Sequence, residues 1–234
     1  MLDLVGFGPN GWGPALLRAA FTTFLLSAAG FLSGVALGAL AAFARISGNR
    51  FARGAAFAYG ALFRGVPDLL TIYLLYFGGS VALTAIGGWF GAHGFVGLPG
   101  FATGAVALGV ISGAYQAEVY RGAYLAIHPG ELEAARAYGM SGLTMLRRVV
   151  GPQTLRYAIP GLGNVWQLVL KDSALVSVIG LVELMRQAQV GAGSTRQPFV
   201  FFCAAAALYL AIATSTNALF RRVERQSRRG FRTA

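Results

Sequence analysis

The sequence predicts an all-α integral membrane protein: five transmembrane helices, with a folded cytoplasmic loop between the third and fourth. Three observations lead there. Of the 234 residues, 56% are hydrophobic and only 12% charged, about half the charged share of an average soluble domain. Mean hydropathy is +0.62. Long uncharged stretches alternate with short polar ones, and the basic residues gather in polar segments that would all face one side.

That last pattern decides what the net charge of +11 means. Arg45, Arg50 and Arg53 follow the first apolar stretch. Arg121, Arg136, Arg147, Arg148 and Arg156 surround the central polar stretch, and Arg221, Arg222, Arg225, Arg228, Arg229 and Arg232 form the tail. Basic residues concentrate on cytoplasmic loops, so the charge records topology and predicts no nucleic-acid partner. Cys203 is the single cysteine and lies in an apolar run, which predicts a buried thiol and excludes an intrachain disulfide. His93 and His128 are the only histidines, and no Cys/His cluster offers a metal site. The N-terminus lacks the charged start and small-residue cleavage site of a signal peptide, so the first apolar helix is expected to be retained.

A crossing helix needs about 20 mostly apolar residues. On that basis residues 1–234 form a single membrane domain with spans near 16–44, 55–78, 101–125, 158–183 and 198–220. The first is uncharged from Ala19 to Ala44, and its Gly30, Gly34 and Gly38 recur at every fourth position. Such a stripe of small residues lets a neighbouring helix approach closely. From Leu69 to Ala117 the chain carries no Asp, Glu, Lys or Arg but is broken by glycines at 87, 88, 91, 94, 97 and 100. It reads as the end of a second helix, an outer loop and a third helix. Starting the second span near Ala55 places Arg64, Pro67 and Asp68 within it. Tyr157–Leu170 and Ser173–Val182 are each too short to cross and join into a fourth helix containing Lys171 and Asp172. An odd number of crossings puts the N-terminus outside and the arginine-rich tail in the cytoplasm.

Between the third and fourth spans, residues 126–157 carry their own helix punctuation. Pro129 suits the first helical position, and Glu131 and Glu133 suit the positive end of the helix dipole. Ala134, Ala135 and Tyr138 share a face by their spacing. Gly139 is placed to end the helix in a left-handed conformation. Ser141 caps a second helix with Leu143, Leu146, Val149 and Val150 as its apolar side, and Gly151-Pro152 stops it. A shallow surface suited to a cleft and an amphipathic hairpin resting on lipid are both open from these residues.

Glu133-Ala134-Ala135, Gly139 four residues later, and the hydrophobic-Pro site at Val150 to Pro152 resemble the EAA signature of permease subunits in ATP-binding-cassette importers. Gly151 stands where that family usually has Leu. FRGVPDLL at 63–70, AEVYRGAYLAI at 117–127, KDSALVSVIGLVEL at 171–184 and TRQPF at 195–199 are similar to elements of bacterial polar amino-acid permeases, above all those for basic amino acids or opines. The resemblance covers nearly the whole chain. It implies a multi-pass permease of the bacterial inner membrane that moves a polar, basic amino acid or opine inward. The segment matching Glu131, Glu133, Ala134, Ala135, Tyr138 and Gly139 would be a coupling helix docked on a separate pair of cytoplasmic ATP-binding subunits. A second permease, identical or homologous, and an extracytoplasmic solute-binding protein would complete the system. The chain contains no glycine-rich P-loop with its lysine, so ATP and Mg would belong to the ATPase, and no cofactor and no catalysis are expected of this polypeptide.

An ionisable residue inside a span costs about 2.5–3.5 kcal/mol on insertion scales and marks a functional site. Asp68, Lys171 and Asp172 are therefore the candidate pathway residues. Lys171 and Asp172 are adjacent, so they point about 100° apart, one toward a pathway and the other toward a neighbouring helix or subunit. Arg64 is expected at the cytoplasmic surface, and Glu118 is expected to pair with Arg121. A secondary transporter or channel would show paired broken helices in internal repeats, and none is evident. An intramembrane enzyme would need an activated nucleophile or acid–base pair, and no such constellation is present.

Overall fold

A computed structural model describes residues 2–9, 11–46, 49–90 and 94–227, and every described element is helical. After a helical turn at Leu2–Val5, the chain forms α1 (Gly13–Ile46), α2 (Arg50–Gly65), α3 (Asp68–Trp89), α4 (Gly100–Leu125) and the short α5 (Pro129–Ala137). Next comes α6 (142–172), then a 3-10 segment (Ser173–Ile179), α7 (Leu184–Thr195) and α8 (Pro198–Ser227). His93 and Arg228, Arg229 and Arg232 lie outside the described residues.

The centre of the molecule is the contact of α1 with α4. A Cβ on Gly30 would lie 2.6 Å from Leu108 Cβ, one on Gly34 2.0 Å from Ser112 Oγ, and one on Gly38 2.8 Å from Gln116 Cβ. The glycine stripe is therefore a helix-packing surface, not a pore lining. Polar side chains reinforce it in a medium that offers no water. Ser112 Oγ donates to Gly30 O at 3.1 Å, and the fully buried Gln116 donates through Nε2 to Phe31 O at 3.0 Å. Tyr59 Oη on α2 donates to Val110 O at 2.6 Å, fastening α2 across the same pair.

Around this pair the other helices pack through small and aromatic residues. On α6, Gly161 faces Val119, and Ala158 packs with Ala123 of α4. Trp166 stands edge-on to Phe24 and Phe31 of α1. Phe201 of α8 is fully buried over Gly191 of α7, where a Cβ would come within 2.2 Å of the ring. Most of the apolar surface nevertheless faces outward: only 11% of the apolar window of α8 is buried inside the chain. Cys203 shares that outward face and is exposed, contrary to the buried thiol expected from its apolar neighbours. Its apolar run meets the surroundings of the molecule rather than its interior.

Among the described residues, three helices are long and apolar enough to cross a membrane by length and composition: Gly13–Ile46, Asp68–Trp89 and Pro198–Ser227. Helix boundaries differ from expectation at three places. The stretch 55–78 is divided where Val66 and Pro67 leave the helix, and α3 starts afresh at Asp68. A residue preceding proline is pushed out of the helical region, so Pro67 separates two helices here rather than disturbing a single span. The second helix of the loop does not stop at Gly151-Pro152. Pro152 cannot donate to Arg148, and the helix instead widens into a π turn over Leu146–Val150 and continues into Gly151–Asp172. Gly151 permits this, because its N–H bonds to Leu146 O and a Cβ there would meet that same oxygen at 2.7 Å. The stretch 158–183 ends as a helix earlier than expected: α-geometry tightens to 3-10 at Ser173 and stops at Gly180, φ +86°. Helix α7 then follows, an element the sequence reading did not foresee.

Replacing Gly34 with Leu should overpack the α1–α4 contact and cost about 3 kcal/mol or more. Thermal unfolding of the purified protein should show a clear fall in Tm for Gly34→Leu. Gly54→Ala, where nothing lies within 4 Å, should unfold like the parent; equal behaviour of the two variants would contradict the packing described here.

Candidate coupling helix and charged pathway

Helix α5 is built by its own caps. His128 Nδ1 accepts from Gly130 N at 3.1 Å, and Pro129 occupies the first turn. At the other end Gly139 N donates to Arg136 O at 2.9 Å and Met140 N to Ala135 O at 3.1 Å. With Gly139 at φ +72°, this pair of bonds is the Schellman termination that glycine favours. Ser141 Oγ then accepts from Thr144 N at 3.4 Å and starts α6.

The turn fixes which side of α5 is free. Ala135 is buried at 4% exposure, and α5 packs on the π turn of α6. Glu131 accepts a hydrogen bond from Gln153 Nε2 of α6. Glu133, Ala134 and Gly139 are exposed, and Tyr138 projects with 85% of its surface free. Ala135 thus does not share the outer face with Ala134 and Tyr138, as its spacing had suggested; it anchors the helix from behind. What remains outward is small, shallow and acidic at one end.

Above α5, at the ends of α1, α2 and α4, Glu118 gathers three arginines. Arg45 of α1 pairs with Oε1, Arg64 of α2 with the same oxygen at 2.9 Å, and Arg121 of α4 with Oε2 at 3.0 Å. Arg64 also donates through Nε to Gly60 O at 2.9 Å. It is therefore held in an ion pair rather than simply reaching toward the aqueous surface. The expected Glu118–Arg121 pair is present, and Arg45 and Arg64, far apart in sequence, join it.

Asp68 and Asp172 stand at the ends of segments that pack together, the start of α3 against the 3-10 segment Ser173–Ile179. Asp68 opens α3 immediately after the Pro67 break, and Asp172 ends α6 where the 3-10 segment begins. Both segments also pack against α4. Asp172 Oδ2 is buried and receives no hydrogen bond among the described residues. Lys171 faces elsewhere: it is exposed and lines a cleft of about 410 Å³ with Gln167, Met185 and Tyr209. The adjacent pair does diverge, as helical geometry requires.

Sequence reasoning missed Glu183. Its side chain is fully buried and forms no ion pair among the described residues. Instead it accepts from Met185 N at 3.0 Å, Arg186 N at 2.8 Å, Thr23 Oγ1 at 3.3 Å and Tyr209 Oη at 3.0 Å. A carboxylate at a helix N-terminus is stabilised by the free N–H groups. Glu183 therefore caps α7 and ties α1 to α8. An acidic residue directly before a helical pattern was the available signal, but reading 158–183 as one span concealed it.

Comparison with known proteins identifies the arrangement. Residues 34–229 match the family described as binding-protein-dependent transport system inner membrane component. An octopine transport system permease protein of Rhizobium radiobacter is 56% identical over 228 residues, covering 97% of this chain and 96% of that protein. A nopaline transport system permease protein of Agrobacterium fabrum is 44% identical, with 99% of each chain covered. The histidine/lysine/arginine/ornithine transport system permease protein of Escherichia coli is 34% identical, with 96% and 98% covered. Among solved structures, an amino acid ABC transporter crystallised with histidines superposes with TM-score 0.79 at 32% identity, covering 92% of this chain and 95% of that one. The MetNI methionine ABC transporter, at TM-score 0.65 and 19% identity over 91% and 94% of the two chains, shares the fold. The chain belongs to the inner membrane components of binding-protein-dependent transport systems and is a permease subunit of an ATP-binding-cassette importer.

Proposed function

We propose that this permease admits a basic amino acid or opine and is driven through α5 by a separate ATPase. The observation that carries the coupling half is the helix itself. It is capped at both ends and held from behind by Ala135, and it presents Glu133, Ala134 and Tyr138 outward. A rigid, exposed helix with a shallow face fits a cleft on a partner, and moving it would move α6 through the π turn. The partner set is a pair of cytoplasmic ATP-binding subunits holding ATP and Mg, a second permease, and an extracytoplasmic solute-binding protein.

Five crossings fit this reading: α1, α3, α4, α6 with its 3-10 extension, and α8. The apolar second crossing is then α3 at Asp68–Trp89, with α2 lying before it on the cytoplasmic side. The N-terminus is outside, and Arg221, Arg222 and Arg225 at the end of α8 lie in the cytoplasm, as basic residues prefer. This also places α5 and the Glu118 cluster on the ATPase side of the membrane.

The substrate half rests on Asp68 and Asp172. Two carboxylates on packed segments, one with a buried oxygen that has no donor among the described residues, stand where Pro67 and the 3-10 segment interrupt the helices. Such a locus suits a guanidinium or ammonium group. The chain's relatives named for octopine, nopaline and basic amino acids support the same chemistry.

Two results are expected. In proteoliposomes holding the whole transporter, Glu133→Lys and Gly139→Pro should insert normally yet lower uptake per ATP hydrolysed by about tenfold or more, as for a central interface residue. Normal uptake in both would remove α5 from the coupling role. Asp68→Asn and Asp172→Asn should raise the KM for arginine about tenfold, the loss expected for a charge-assisted hydrogen bond, while glutamine uptake changes little. Equal small effects on both solutes would remove the counter-charge role.

A further inference from the structure

We propose that Glu118 is a positioning residue for the solute: its ion pair with Arg64 holds the end of α2 and thereby sets where Asp68 stands. The inference rests on the reading of Asp68 as a counter-charge. Arg64 lies in the last turn of α2, and Asp68 opens α3 four residues later. Between them Gly65 and Pro67 are exposed and Val66 is half-buried. A Cβ on Gly65 would meet nothing within 4 Å. Pro67 fixes its own φ, but a joint so lightly packed takes its position from whatever holds its two ends.

Beyond Asp68, the core holds the chain. Thr71 and Ile72 are buried, and Ile72 packs with Leu108 and Ile111 of α4 and Val176 of the 3-10 segment. Before Asp68, the tie is Glu118. Arg64 donates through Nη2 to Glu118 Oε1 at 2.9 Å and through Nε to Gly60 O at 2.9 Å, so its guanidinium lies back along α2 and reaches α4. Tyr59 Oη, bonded to Val110 O, fastens only the body of α2. Arg45 and Arg121 share the same carboxylate. Removing its charge therefore does two things. It frees Arg64, and it leaves three guanidinium groups repelling one another at one place. Both effects move the end of α2 away from α4, and Asp68 with it. A charge-assisted hydrogen bond weakens steeply when its geometry shifts, so the displacement costs affinity for a cation and little for a neutral solute.

The test uses the whole transporter in proteoliposomes, with initial uptake of arginine and of glutamine as the two probes. Glu118→Gln should raise the KM for arginine about fivefold, the upper end for a partly exposed ion pair, with kcat and glutamine uptake nearly unchanged. Glu118→Asp, which keeps the charge, should recover most of the loss. Arg121→Gln removes a partner on α4 itself without touching α2, and should leave the arginine KM within about twofold of the parent. Added to Asp68→Asn, Glu118→Gln should change little, because the residue it positions is already gone. A KM rise shared by both solutes, a loss confined to kcat, or a double variant whose KM rises by the product of the two single effects overturns the positioning role in favour of a scaffold. Should Glu118→Gln fail to assemble, Arg64→Gln decides by the same split. Asp68→Asn alone separates the two readings. Without an effect on arginine, the counter-charge reading fails and this one with it; with an effect that Glu118→Gln and Arg64→Gln do not share, only the positioning role fails.

Discussion

The close approach of α1 to α4 is the constraint on which the remaining structure depends. In a bilayer, apolar surface alone does not hold helices together, because lipid tails are as apolar as leucine. Association must come from packing that lipid cannot match and from hydrogen bonds it cannot offer. Gly30, Gly34 and Gly38 supply the first, and Ser112 and Gln116, bonded to carbonyls of α1, supply the second. Once this pair is set, Arg45 and Glu118 meet at one end of it. Val119 and Ala123 are likewise presented to Gly161 and Ala158 of α6.

From that frame, polar groups mark the places where the molecule has something to do. Glu183 is buried but fully supplied with donors, which makes it a joint between α1, α7 and α8. Asp172 is the opposite case, a buried carboxylate oxygen with no donor among the described residues, next to a segment packed against the start of α3. The contrast separates a structural acid from the one proposed above to face a cationic solute. Glu118 is intermediate, an acid satisfied by three cations near the end where α5 lies.

Much of this was legible in the sequence where the signal is local. The glycine spacing of α1, the proline start and glycine stop of α5, and the divergence of Lys171 from Asp172 all follow from helical geometry. What was not legible depends on partners distant in the chain. Nothing near Glu118 announces Arg45 or Arg64, and nothing near Glu183 announces Thr23 or Tyr209. Pro152 misled for a different reason. A proline ends a helix only if the carbonyl it leaves cannot be accommodated, and Gly151 lets the chain widen by one residue instead. The burial of Cys203 was misjudged because an apolar run in a membrane protein does not distinguish a helix interior from a lipid face.

The central claim is that this polypeptide moves solute only when an ATPase moves it. The direct measurement is solute accumulation in liposomes containing the purified chain, first alone and then with its ATPase, its second permease and its binding protein, with ATP supplied on the ATPase side. Accumulation that appears only with the ATPase present and hydrolysing is the predicted result. Solute carried by the chain alone, at a rate unaffected by adding the ATPase and ATP, would contradict it.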